Sequence, residues 1–229
     1  MVEGQTYTFE VFGLRQGVMI MSDRQTGSVW THLDGEATNG PLTGARMEII
    51  PILLTVWEDW LTLHPDTLVL SDDTPFRSLY QDVLAGLSGP GADQYLLYGD
   101  ERLEPEELVL GVMTKGSYAA YPLFVLRETD GVVNSSVGET PIVVFYDAKN
   151  NSAIAFSRLL DGREAQFKVV SNEPFRARDS VTGTTWDITG RGVSGPGKGT
   201  TLSFTTSYVS AWYGWSGYHP STVIYKLPL

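Results

Sequence analysis

The sequence predicts a mainly β protein with a few short helices, built from two pseudo-symmetric repeats that form one barrel-like or sandwich-like body. Three observations predict it: an internal repeat, a run of short strand-like segments, and two short helical motifs. Asp23-Arg-Gln-Thr-Gly-Ser-Val-Trp30 reappears as Asp179-Ser-Val-Thr-Gly-Thr-Thr-Trp186, and Gly40-Pro41 returns as Gly195-Pro196. Trp57-x-x-Trp60-x-x-x-His64-Pro65 returns as Trp212-x-x-Trp215-x-x-x-His219-Pro220. The offset is 155 from Pro41 to Pro65 and 156 at the upstream Asp and Trp, so the second copy lacks one residue between them. Self-similarity of this kind constrains architecture before chemistry.

The strand-like segments follow in order. Tyr7–Phe12, Pro141–Tyr146, Ala153–Phe156 and Ala165–Val170 are rich in β-branched and aromatic residues, with Gly, Asn, Asp or Pro between them. Asp161-Gly162, between segments 153–160 and 164–170, reads as a hairpin turn in which Gly supplies positive φ. Thr200–Thr206 alternates with a period of two, as a half-buried strand does. Leu108–Met113 opens a further ordered stretch.

Thr55-Val-Trp-Glu58 fits a capping box, after which Trp57, Trp60, Leu61 and His64 share one helical face until Pro65. The second copy offers Ser210 as cap, with Trp212, Trp215 and His219 on the matching face, but Gly214 and Gly217 weaken it. A longer helix is predicted over 75–87, capped by Thr74, and Ser88-Gly-Pro-Gly-Ala92 reads as a linker. The organisation expected is therefore a first β-rich repeat (1–72), a helical connector (73–108) and a second β-rich repeat (109–229), sharing one core. Strands at 109–160 have no counterpart before Met1, so either the first repeat pairs with strands contributed by the second or, as the favoured expectation, it is N-terminally shortened.

Composition excludes several functions. No cysteine is present among 229 residues, which removes disulfides, thiolate zinc sites and a cysteine nucleophile together. A net charge of −11 disfavours nucleic acid and anionic membranes as partners. No apolar run is long enough to span a bilayer, and the N-terminus lacks a signal pattern, so a soluble, cytoplasmic chain is expected. Gly192–Gly199 lacks phosphate-loop spacing and a following helix, and is read as a turn.

Many stretches resemble the bacterial and archaeal family called domain of unknown function 3179. They include Val18–Trp30, Gly35-Glu-Ala37, Gly40–Arg46, Trp57–Pro65, Thr67-Leu-Val-Leu70, Asp100-Glu-Arg-Leu103, Val109-Leu-Gly-Val112 and Ala120-Tyr-Pro-Leu123. Val132-Val-Asn134, Thr140–Tyr146 and Ala153–Phe156 extend the resemblance over nearly the whole chain. The resemblance implies a shared fold and no settled activity. Typical members carry a Cys-Pro-Leu-Cys-like turn after the Val-Val-x-Tyr strand and often a Trp-His-Glu-like stretch upstream. Here those positions read Tyr146-Asp-Ala-Lys-Asn150 and Leu126-Arg-Glu-Thr-Asp130, so any metal or thiol chemistry of the family is not expected in this copy.

Candidate catalytic residues are His64 and His219, kept in both copies at helix ends, and Glu36 with His32, where His32, Asp34 and Glu36 could supply a base and its orienter. Trp57, Trp60, Trp212, Trp215, Trp30, Trp186 and Tyr146 are candidate ligand-binding aromatics or, in the structural reading, core. Two histidines without a ligand cluster make a poor metal site, so no metal and no cofactor is expected. The leading expectation is a small, largely apolar ligand held in an aromatic-lined cavity between the repeats. The rivals are a cofactor-independent enzyme of cyclase, isomerase or lyase type in the same cavity, and a structural or interaction module.

Overall fold

A computed structural model describes residues 4–75 and 100–227. Strands dominate, and three short helices accompany them among the described residues. The predicted helix over 75–87 and the linker at 88–92 lie outside the described residues, apart from Pro75.

The first part of the chain is a four-stranded antiparallel meander of β1 (Phe9–Arg15), β2 (Val18–Asp23), β3 (Val29–Thr31) and β4 (Ala37–Asn39), followed by α1 (Trp57–Leu63). Later, β12 (Phe167–Asn172), β13 (Phe175–Asp179), β14 (Thr185–Trp186) and β15 (Gly192–Ser194) form a second meander in the same order. Both first hairpins carry a register shift, between Val11 and Gly13 and between Val169 and Ser171. Both end in an isolated bridge, Glu36 with Arg46 and Arg191 with Thr201.

Between the meanders run β5 (Leu108–Thr114), β6 (Ser117–Pro122), α2 (Leu123–Leu126), β7 (Val132–Val137), β8 (Thr140–Asp147), β9 (Ser152–Ser157) and the ribbon β10 (Leu159–Leu160) with β11 (Arg163–Glu164). The chain closes with β16 (Ser207–Ala211), α3 (Trp212–Tyr218) and β17 (Val223–Ile224). Here β16, β5, β6 and β17 make one sheet, with β17 parallel to β6, while β7, β8 and β9 make another.

The β7–β8–β9 sheet is the middle layer. Leu110, Val112 and Tyr121 meet Val133, Ile142, Val144 and Ala155 on one face. Val143, Phe145 and Phe156 meet Phe167, Phe175 and Trp186 of the second meander on the other. Burial on both faces explains why Ile142–Tyr146 is a continuous apolar run rather than an alternating one. The outer face of the β5–β6 sheet is then covered by α3, whose Trp212 and Trp215 pack on Val109 and Ala120. Gly111 faces this helix, and a Cβ there would lie 2.1 Å from the Trp215 ring. The indole therefore lies against bare backbone.

The first meander docks on α3 through its β1–β2 turn, where Gln16 and Gly17 both have positive φ. A Cβ on Gly217 would stand 2.9 Å from Gln16 Cβ, and one on Gly214 would stand 3.1 Å from Val18 Cγ2. The two glycines that weaken the helix in isolation are thus its docking surface.

Several expectations are corrected. No closed barrel forms among the described residues, because the meander strands shorten to two or three residues and their bulges interrupt the continuous ladder that closure needs. The layers instead stack face to face. Neither the Thr55–Glu58 capping box nor the Ser210 cap forms: Val56 and Ala211 hold the cap positions without a side-chain bond. At α3 the reason is visible, since the Trp212 and Tyr213 amides donate to the carbonyls of Glu107 and Pro105 at 2.8 and 2.9 Å. Thr200–Thr206 is extended but makes only bridges, Thr201 to Arg191 and Phe204 to Phe156. The Asp161-Gly162 turn forms as expected, with φ of 50° and 72°, joining β10 to β11.

Candidate functional site

Two buried turns hold the repeated Asp and Trp. Asp23 accepts from the Trp30 indole at 2.9 Å, the Thr26 amide at 2.6 Å and the Thr26 hydroxyl at 2.8 Å. Asp179 accepts from the Trp186 indole at 2.9 Å, the Thr182 amide at 2.5 Å and the Thr182 hydroxyl at 2.7 Å. Burial alone would push each carboxyl up, but the indole, hydroxyl and amide donors together outweigh it and hold both below the usual 3.8. The donors on both carboxylates come from their own turns, so these carboxylates are fold anchors, and Trp30 and Trp186 are anchored with them.

A second polar group lies where the first meander meets α3. His219, 3% exposed, stacks on Tyr118 at 4.2 Å between ring centroids and tilts against Trp215 at 4.3 Å. Its Nε2 is 3.3 Å from Asp34 Oδ1, but the approach is not aligned for a hydrogen bond. Both atoms, with the Tyr208 and Tyr218 hydroxyls, are buried without hydrogen-bond partners. Burial and then the Asp34 charge drive the Tyr208 hydroxyl far above its ordinary value. Burial also raises Tyr218; the Arg15 guanidinium, 5.5 Å above its ring, opposes this and the Asp34 charge adds to it. Tyr118 also lines a cavity of about 440 Å³ shared with Tyr121, Ser135 and Tyr225.

The third feature is a cavity of about 450 Å³ between the α1 segment, the β8–β9 turn and the β12–β13 turn. Its apolar floor includes Leu53, Leu63, Phe175 and Ile188. Its rim carries the carboxylates of Glu58, Asp59, Asp147, Glu173 and Asp187 against the cations of Lys149 and Arg176. Asp187 is already committed to the Thr189 amide and hydroxyl and the Arg191 amide. Asn150 is buried in the wall and its amide nitrogen touches both Asp59 and, at 2.8 Å, Asp147. That fixes the amide orientation, since the flipped form would set its oxygen against two carboxylates. The Asn150 oxygen is left buried without a partner.

The remaining candidates fall elsewhere. His64 is exposed at the end of α1, 4.2 Å from the Trp60 ring. His32 is exposed, Glu36 pairs with Arg46 at 2.5 Å, and Asp34 faces His219, so the structure does not assemble His32 with its neighbouring carboxylates. Trp212 and Trp215 are fully buried, their indoles donating to the Asp100 carbonyl at 2.8 Å and the Thr222 hydroxyl at 2.9 Å. Tyr146 is buried and donates to Asn151. Trp57 and Trp60 are exposed on α1, and Trp186 borders a separate cavity of about 430 Å³. Sequence reasoning missed Asp59 and Asn150. The one available signal was the departure at Tyr146–Asn150 from the family's Cys-containing turn, because that turn forms the cavity wall.

No group of three or more His, Cys, Asp or Glu able to hold a metal occurs among the described residues. No helix among them is long and apolar enough to cross a membrane. The family described as protein of unknown function (DUF3179) matches residues 1–222, and the chain belongs to it. No curated protein and no solved structure matches the chain.

Proposed function

We propose that this member of the family binds a small organic molecule, with an apolar body and a cationic head, in the cavity between the α1 segment and the second meander, without a metal. The observation that carries this reading is the buried Asn150 wedged between Asp59 and Asp147 over an apolar floor. Carboxylates in such numbers favour a positive charge, and the floor favours hydrocarbon. The sequence-based expectation of an aromatic-lined cavity narrows here to one aromatic side chain, Phe175. We read the cavity as lying between two pseudo-symmetric repeats, 1–72 and 109–229, joined by a connector at 73–108. The matched meanders and their matched Asp–Trp bonds support that reading.

The test is thermal-shift and calorimetric titration with a series of primary alkyl- and arylalkylamines beside the alcohols of the same shape. Amines should bind more tightly than their alcohols, and Asp59→Asn should weaken the amines by about tenfold, one charge-assisted contact. Equal binding of amine and alcohol would refute the cationic head.

A second reading rests on a different observation, the buried His219–Asp34 contact beside two hydroxyls without partners. Such a group can move a proton without a cofactor. A reaction dependent on His219 but indifferent to Asp59→Asn would favour it over the ligand cavity.

A further inference from the structure

A polar spot sits where two sheets should close on apolar residues. Strands β6 and β7 face each other across the core, with Ala119 and Tyr121 of the first meeting Val133 and Val137 of the second. Side chains alternate along a strand, so Ser117 and Ser135 share those inward faces. The Tyr121 hydroxyl bears this out by donating to Ser135 Oγ at 2.8 Å. A serine on the core face of each strand breaks the apolar pattern twice at one place, and such breaks belong to sites of function rather than to packing. Small side chains there also leave the space between the sheets unfilled, and a cavity of about 440 Å³ results.

The cavity is closed at one end. There Thr114 Oγ1 donates to the Val137 carbonyl at 3.0 Å, and a Cβ on Gly138 would lie 2.5 Å from Ser117 Oγ. On its other side Ser221, Val223 and Tyr225 supply the wall, and the Tyr225 ring stacks on Tyr121 with centroids 5.0 Å apart. Burial holds the Tyr121 and Tyr225 hydroxyls above their ordinary value, so both remain neutral donors. None of the twelve lining residues is Asp, Glu, Lys, Arg or His, whereas the cavity under α1 is lined by five carboxylates and two cations. An ion entering an uncharged cavity would lose hydration and gain no counter-charge. The hydroxyls of Ser117, Ser136, Ser221 and Tyr225 make no hydrogen bond among the described residues. Ser135, which accepts from Tyr121, keeps its own proton to donate.

We infer that this cavity is a second binding site, for a neutral polyhydroxylated ligand of the saccharide class. Serine and tyrosine hydroxyls can each donate to and accept from the hydroxyls of a sugar. The stacked tyrosines add flat apolar surface for the C–H face of its ring. The volume lies within the range of about 300–1,000 Å³ for small-molecule sites. Ser136 and Ser221 are exposed, so the mouth opens to solvent. No lining residue is shared with the cavity under α1, so the inference does not depend on the amine reading.

The test is calorimetric titration and saturation-transfer NMR of the whole chain with glucose, galactose, mannose, xylose, maltose and cellobiose. Glucuronate, glucosamine and cyclohexanol are the controls. At least one neutral sugar should bind, with saturation transfer to its ring protons, and more tightly than every control. Ser136→Trp and Ser221→Trp change exposed rim positions; each should keep the parent's urea midpoint and weaken that sugar by about tenfold or more. Asp59→Asn should leave sugar binding unchanged. Three results would overturn the inference: no saturation transfer to any of the neutral sugars, a control that binds as tightly as the best of them, or folded Trp variants that retain the parent's affinity. Sugar binding lost in Asp59→Asn would place the ligand under α1 and overturn it as well.

Discussion

Gly111→Ala tests the central packing of α3 on its sheet. The new Cβ would fall 2.1 Å from Trp215 Cε3 and 2.2 Å from Cζ3, well inside contact distance. The ring has little room to yield, since it is fully buried and its indole nitrogen is tied to Thr222 at 2.9 Å. Overpacking of this kind costs about 1–3 kcal/mol, and displacement of the indole adds about 1 kcal/mol for the lost hydrogen bond. The expected loss is therefore about 2–4 kcal/mol, read as a lower urea midpoint at unchanged slope. Gly13→Ala is the matched control: nothing lies within 4 Å of its Cβ and its φ is not positive, so a change within about 0.5 kcal/mol is expected. Trp215→Leu should cost stability alone but relieve the clash, so the double variant should be more stable than additivity gives, by about 1 kcal/mol or more. A Gly111→Ala protein within about 0.5 kcal/mol of the parent would show that the helix does not rest on bare backbone.

Three other outcomes follow from the same geometry. Asp179→Asn should cost about 1.5–3 kcal/mol near neutrality, the range for hydrogen bonds to a charged group, in urea melts. Because the folded carboxyl sits below the usual 3.8, its contribution is present above that value and is lost as pH falls through the lower folded value; the variant's stability should therefore depend less on pH below about 4 than the parent's. Gly217→Ala should push against Gln16 Cβ, 2.9 Å from the new methyl, and raise hydrogen exchange in the β1–β2 turn more than in β8; equal exchange in both would contradict the docking described. Tyr208→Phe removes a buried hydroxyl without a partner, so stability should hold or rise by up to about 1 kcal/mol, and a loss above about 2 kcal/mol would mean that the hydroxyl is bonded.

The parts of the fold legible in the sequence are those fixed by local chemistry. The Asp-x-x-Thr-Gly-x-x-Trp turns were readable because one carboxylate, one Thr and one Gly close the turn within eight residues. Asp161-Gly162 was readable because its positive φ values belong to residue types that tolerate them. The Ser210 cap was not, because long-range carbonyls at Pro105 and Glu107 take the amides that a side-chain cap would have taken at α3. Gly214 and Gly217 were readable only as helix weakeners, since their use depends on a turn about 200 residues earlier in the chain. The candidate site suffered most from this limit. Asp34 sits next but one to His32 in sequence, yet the fold hands it to His219. Asp59 and Asn150 are 91 residues apart and carry no local pattern.

The two Trp–His segments separate what a motif dictates from what its surroundings dictate. The helix, its His terminus and its indole–Thr bond recur with distances matching within 0.1 Å, so these follow from the local sequence. The chemistry of the histidine does not recur. His64 lies exposed beside Trp60. His219 is enclosed by Tyr118, Trp215 and the Asp34 carboxylate, so the same local motif ends in solvent in one copy and at a buried polar junction in the other, and only the surrounding fold decides which.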